Sequence, residues 1–215
     1  MKNLIKEYEE IFLESPKYYI DTGGRFEIIG NHTDHNHGLC IVANCSLRIK
    51  AVLDKDDEIV DIKSKGYDRF SFSLSSLSNY NDYENKTKAL VAGILIKLKE
   101  LGYKIGGFKA YIESDIPDGS GVSSSAAVES LIGFIISYLY NNKSIPELVI
   151  AKVGQFSENH YFKKPCGLLD QIGTSFSNCN YIDFKDIDSP VLENLDFNLP
   201  FSYVKDIFSL WSAIA

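Results

Sequence analysis

The sequence predicts an α+β fold, on three observations. Stretches rich in β-branched and aromatic residues cluster in the first third of the chain. Patterns of helical period dominate from residue 86 onward. The 215 residues are 45% hydrophobic, enough for one substantial core, and neither internal repeats nor low-complexity linkers interrupt them.

The elements follow in order. "NLIKEYEEIFLE" places Leu4, Ile5, Tyr8, Ile11 and Phe12 at helical spacing and stops at Ser15-Pro16. "KYYID" and "RFEIIG" read as two strands around a turn at Gly23-Gly24. "LCIVANCSLRIKAVL" reads as one long strand or two short ones. "EIVDIKSKG" and "RFSFSLSSL" alternate apolar and polar residues, as antiparallel strands with one wet face do. "KTKALVAGILIKLKELG" is a helix closed by Gly102. "GFKAYIESDIP" is a strand that runs into a loop. Two helices are predicted over Ser123–Tyr140 and Ile145–Tyr161, the second with Pro146 in its first turn. "PCGLLDQ" leads into a short helix, and "NYIDF" is a strand.

Charge and composition exclude some classes. A net charge of −7 and a pI near 5.1 argue against nucleic acid as a partner, because a phosphate backbone needs a basic face. The longest apolar run, Leu131–Tyr140, is about half of what a membrane span requires. The N-terminus shows no apolar segment of the signal-peptide kind. Cys40, Cys45, Cys166 and Cys179 match neither a disulfide framework nor a paired zinc knuckle. These features lead to the expectation of a cytoplasmic protein with reduced thiols, engaging neither nucleic acid nor membrane; the oligomeric state is not readable.

Three stretches carry chemistry. In "DGSGVSSSAAVES", Gly119 and Gly121 let the backbone curl, and Ser123, Ser124 and Ser125 precede a helix. Unpaired backbone N–H groups and the helix dipole there suit a phosphate, and serine hydroxyls can cap the helix or meet a metal ion. An ordinary well-capped helix explains the same residues. No Lys follows the second glycine, so the loop is not of the Walker A type. "GRFEIIGNHTDHNHG" gathers His32, Asp34, His35 and His37. Its spacing fits no zinc motif; a solvated loop or a set of donors and acceptors for a polar ligand fits as well. "SENHYFKKPCGLLDQ" supplies Glu158 and Asp170, either a metal ligand and a base or two solvated carboxylates.

Taken together and in this order, the stretches resemble the galactokinase branch of the GHMP small-molecule kinases. "GRFEIIGNHTDHNHG" is similar to that family's G-R-x-N-x-I-G-E-H-T-D-Y-N-x-G signature. "GSGVSSSA" resembles its G-x-G-L-S-S-S-A phosphate loop, and "SEN" with "CGLLDQ" resembles its A-E-N and C-G-x-x-D-Q segments. The resemblance covers roughly residues 15 to 185 and implies the family's N-terminal domain, of the ribosomal protein S5 domain 2-like fold. It implies transfer of the ATP γ-phosphate, with Mg²⁺, to the anomeric hydroxyl of galactose or a related sugar. Asp170 would be the catalytic base and Arg25 would stabilise the transferring charge. Asn31, His32, Thr33, Asp34 and Gly167 would bind the sugar. Gly119, Ser120, Gly121, Val122, Ser123, Ser124 and Ser125 would wrap the phosphates, and Ser125 with Glu158 would hold the metal ion.

Two substitutions fall in the sugar loop: Asn31 stands where the family has Glu, and His35 where it has Tyr. The exact sugar is therefore open. The family's chains are about twice as long, and their third motif, a glycine-rich segment near the C-terminus, and the second domain that closes over the active site are absent here. The expectation is a domain over residues 1–200 and an atypical, truncated or frame-shifted tail over 201–215, with turnover by this chain impaired. The alternative is a sugar and nucleotide sensor, or a kinase fragment without function.

Overall fold

A computed structural model describes residues 1–30, 33–77, 86–117 and 119–195. Its elements are α1 (Lys2–Phe12), β1 (Tyr18–Ile29), β2 (Leu39–Asp56), β3 (Ile59–Ser64), β4 (Phe70–Ser73) and α2 (Lys86–Glu100). There follow β5 (Gly107–Ser114), α3 (Ser124–Tyr140), α4 (Glu147–Ser157), α5 (Leu169–Ser175), β6 (Cys179–Asp183) and β7 (Val191–Leu195). This is the α+β fold the sequence predicts. The tail over 201–215 lies outside the described residues.

The seven strands form one sheet, ordered β4-β3-β5-β2-β6-β7, with β1 added to β2. Strand β2 is its spine. One edge of β2 pairs with β1; the other pairs with β5 over Ile49–Asp56 and with β6 over Leu39–Ala43. All pairings are antiparallel except β3 with β5. Hydropathy alternation reports which face a residue takes, not which strand lies beside it. The parallel pair was therefore not legible.

Alternation along β2 builds both sides of the sheet. Ile49, Ala51 and Leu53 face the main core, packed with Leu95 of α2, Leu131 and Ile135 of α3 and Ile150 of α4. Val52 points the other way and is covered by Leu4 and Tyr8 of α1. Helix α3 is apolar nearly all round because α2, α4, α5 and the sheet enclose it.

One sequence expectation is corrected, and one strand was missed. Gly23-Gly24 is not a turn: β1 runs straight through it, with a bulge between Gly23 and Arg25. The glycines serve close approach instead. A Cβ on Gly23 would lie 2.5 Å from the Cys45 carbonyl oxygen, and one on Gly24 2.6 Å from that of Val122. The bulge also frees the Arg25 N–H to donate to Val122 O at 3.0 Å, tying β1 to the glycine–serine loop. Strand β7 was not read from the sequence. As a half-exposed edge strand it shows no buried apolar run.

Candidate active site

Helix α5 is the element that gathers the site. Its C-terminal half is locked to the sheet: Thr22 Oγ1 donates to Thr174 O at 2.7 Å, and Asn44 Nδ2 to Gly173 O at 3.1 Å. A seam of hydroxyls joins it to α3, where Ser130 Oγ lies 2.7 Å from Thr174 Oγ1 and 2.8 Å from Ser175 Oγ. Held on both sides, α5 presents Asp170 from its first turn towards Arg25 of β1 and the loop before α3.

Asp170 makes three close contacts. Arg25 donates from Nε at 2.8 Å and Nη2 at 2.5 Å to Oδ1, and Ser123 Oγ donates to Oδ2 at 2.5 Å. The remaining guanidinium nitrogen, Nη1, donates to Gly121 O at 2.7 Å. Residues 145 positions apart thus form one charge-assisted network. The Arg25 side chain is 13% exposed and that of Asp170 38%, so the carboxylate still meets solvent. An ionised carboxylate offers about four acceptor sites, so three donors leave it one for a further hydroxyl.

The loop before α3 has an unusual backbone. Gly119, Gly121 and Ser123 take φ of 70°, 73° and 60° in alternation. The expected serine cap is corrected here. Ser123 occupies the N-cap position, yet its side chain makes no capping hydrogen bond. The left-handed backbone turns the hydroxyl away from the helix and onto Asp170. Ser120 spends its hydroxyl on Pro117 O at 2.6 Å. Val122 anchors the loop in the core. Ser124 and Ser125 open α3, and Ser125 Oγ lies 3.2 Å from Glu158 Oε1.

Two cavities touch this region, one lined by Arg25 and Asp170 and the other by Ser124 and Ser125. One, of about 500 Å³, is lined by Arg25, Glu27, Asp34, His35, Lys164, Gly167 and Asp170, among others. Asp34 Oδ2 accepts from the Leu169 N–H at 3.4 Å, and a Cβ on Gly167 would lie 1.7 Å from that oxygen. Gly167 is therefore the residue that seats Asp34. Thr33 turns its hydroxyl onto Gly30 O at 2.6 Å and shapes the histidine loop from within. Asn31 and His32 lie outside the described residues. The other cavity, of about 470 Å³, is apolar on most of its walls, including Ile62, Val91, Val128 and Ile132, and reaches Ser124 and Ser125.

Sequence reasoning missed Glu27, Lys164 and Glu129. Glu27 lies two positions after Arg25, and period-2 alternation would have placed it on the same face. Lys164 Nζ is 3.2 Å from Glu158 Oε1. Glu129 is 1% exposed, on the same stripe of α3 as Ser125 four residues earlier. Burial, then repulsion from Glu158, pushes its carboxyl up to about 8. The folded state therefore binds a proton that the unfolded chain releases near pH 4.5. That contribution is present in full at low pH and is lost as pH rises through the folded value. The expected result is urea-unfolding stability that falls between about pH 5 and 8, with this group contributing to the decline. The same series on Glu129→Gln checks it, and is expected to be flatter.

Among the described residues, no group of three His, Cys, Asp or Glu side chains is placed to hold a metal ion. No helix there is long and apolar enough to cross a membrane. All four cysteines are free thiols.

Comparison with known proteins converges on the same segments. The model of the GHMP kinase N-terminal domain matches residues 89–178. That of the galactokinase galactose-binding signature matches residues 6–55. Galactokinase of Lactococcus lactis subsp. cremoris is 33% identical over 180 residues, 80% of this chain and 44% of that one. Galactokinase of Pyrococcus furiosus is 31% identical over 181 residues, 84% of this chain and 50% of that one. The crystal structure of Lactococcus lactis galactokinase complexed with galactose superposes with a TM-score of 0.79 at 25% identity, over 97% of this chain and 58% of that one. Methanococcus jannaschii mevalonate kinase shares the fold, with a TM-score of 0.65 at 17% identity, over 84% of this chain and 56% of that one. The chain spans about half the length of the curated relatives it matches.

Proposed function

The chain belongs to the galactokinase-type GHMP kinases as their N-terminal portion, and on that premise we propose that it transfers the γ-phosphoryl group of ATP to the anomeric hydroxyl of galactose or a related sugar. One observation carries the reading. Arg25, Asp170 and the glycine–serine loop form a single hydrogen-bonded network; Arg25 and Asp170 line a cavity rich in charged side chains, and the neighbouring Ser124 and Ser125 line an apolar one.

The polar cavity takes the sugar. Asp34 and Gly167 line it, Thr33 sets the curve of its loop, and Asn31 and His32 belong to the same loop in sequence. The apolar cavity takes the nucleoside. Its mouth at Ser124 and Ser125 hands the phosphates to the backbone N–H groups of Gly119, Ser120, Gly121, Val122, Ser123, Ser124 and Ser125. Asp170 directs its free acceptor site to the sugar hydroxyl and takes the proton as the phosphoryl group leaves ADP. Arg25 holds that carboxylate and adds positive charge beside the transferred group.

The donor set fits Mg²⁺. A hydroxyl and a carboxylate are hard oxygen ligands, and Mg²⁺ takes most of its shell from water and phosphate. Ser125 and Glu158 would hold it, and when bound it neutralises charge on the phosphates. Lys164, now paired with Glu158, would turn to the same phosphates.

Gly167→Ala tests the sugar cavity. The displaced atom is the tip of a flexible carboxylate, so stability is expected to change by less than ~1 kcal/mol. Asp34 must leave its seat, however, so galactose affinity in isothermal titration is expected to fall at least tenfold, a loss of about 1.4 kcal/mol. Unchanged galactose binding by a folded variant would place the sugar elsewhere.

A further inference from the structure

A buried polar cluster lies behind the Ser125–Glu158 pair. Gln171, next to Asp170 in α5, is fully buried. Its Nε2 donates to Glu158 Oε2 at 2.9 Å and to Glu129 Oε2 at 3.0 Å. An amide nitrogen carries two protons, so both are committed. One side chain thereby links α5, α3 and the turn that follows α4. Room for it is built in: a Cβ on Gly154 of α4 would lie 2.9 Å from Glu129 Oε2 and 3.4 Å from Gln171 Cγ.

The cluster is a poor stabiliser. Glu129 Oε1 and Gln171 Oε1 are buried with no hydrogen-bond partner among the described residues. Each such orphan costs about 1–3 kcal/mol, and apolar side chains of the same shape would avoid the cost. What the arrangement achieves is orientation. Gln171 Nε2 holds Glu158 Oε2, which leaves Oε1 as the oxygen that faces Ser125 at 3.2 Å, where Lys164 Nζ also meets it at 3.2 Å.

We infer that Gln171, anchored by Glu129, is a positioning residue that aims Glu158 Oε1 at the divalent cation. The inference rests on the metal-site reading given above. Partners behind a ligating carboxylate commonly set metal affinity by 10- to 100-fold. A chain of command follows from the sequence itself, since one turn of α5 delivers both Asp170 to the sugar and Gln171 to the metal ligand.

The test is Mn²⁺ binding to the whole 215-residue chain, read from loss of the free-ion electron paramagnetic resonance signal. Gln171→Met keeps the length and removes the donor; it is expected to weaken Mn²⁺ by ~10- to 100-fold in a chain still folded at the assay temperature, with a lower melting temperature because Glu158 Oε2 and Glu129 Oε2 lose their donor. A folded Gln171→Met that binds like the wild type overturns the inference. Should that variant not fold, the Glu129 pair decides. Glu129→Gln keeps an oxygen that accepts from Gln171 and is expected to bind at least tenfold better than Glu129→Leu; equal affinities overturn the inference. Glu158→Gln separates the two levels. If it binds Mn²⁺ as the wild type does, the metal-site reading itself falls. If it loses the ion while Gln171→Met does not, only the positioning role falls.

Discussion

Asp170→Asn is expected to reduce phosphoryl transfer to galactose by ~10²- to 10⁴-fold, the usual contribution of a positioned base. The amide has the shape of the carboxylate, so the side chain stays in place. Its oxygen can still accept from Arg25 or from Ser123, but it carries no charge and its NH₂ faces one of those two donors. The first acceptor to be lost is the one left for the sugar hydroxyl. Binding of galactose and of ADP is expected to persist, because the cavities are lined mostly by other residues. The discriminating readout is kcat against affinity, taken with the melting temperature. A fall in affinity with unchanged kcat would assign Asp170 to binding alone.

The second large effect is expected from Gly173→Ala, a residue that touches no substrate. Gly173 is where α5 crosses β1 and β2. An added Cβ would lie 2.6 Å from Val42 Cγ2 and 2.7 Å from Arg25 Cβ, and Val42 is fully buried. Alanine favours a helix over glycine by about 1 kcal/mol. Overpacking a buried contact costs about 1–3 kcal/mol, so the clash wins or breaks even. Net destabilisation of ~0–2 kcal/mol is expected from urea unfolding. The functional loss is expected to be larger. Relief requires α5 to move away from Arg25, which opens the Arg25–Asp170 pair. A misplacement of about 1 Å at a reacting group costs on the order of 10²-fold in rate. Loss of turnover out of proportion to loss of stability would confirm that α5 positions the base; proportional losses would reduce Gly173 to a packing residue.

These two residues also show how far the sequence could be read. Asp170 and Arg25 were picked out only through the ordered motifs that carry the family resemblance, and the fold does bring them to 2.5–2.8 Å. Gly173 was not, since nothing in "DQIGTS" says which side chain passes over the glycine. The same limit explains Gly23-Gly24. A pair of glycines reads as a turn until the neighbouring strand is known. Ser123 failed in another way: its residue type favours capping, but its φ of 60° is imposed by the loop. Glu129 could have been noticed as a lone carboxylate inside the apolar run "AAVESLIGF". Helical spacing places it beside Ser125, but only the packing of α4 and α5 shows it meeting Gln171. Helices α1 to α4 were foreseen to within a few residues because their apolar patterns run over 11 residues or more.

If this one network performs phosphoryl transfer to a sugar, as proposed, its product is directly observable. Phosphorus nuclear magnetic resonance of the 215-residue chain with Mg²⁺, ATP and galactose tests it most directly. The predicted result is a sugar 1-phosphate signal growing in step with ADP, at the reduced rate expected of this chain, and absent for Asp170→Asn. Bound galactose and nucleotide with no sugar phosphate formed would contradict the claim and leave a chain that senses its ligands without joining them.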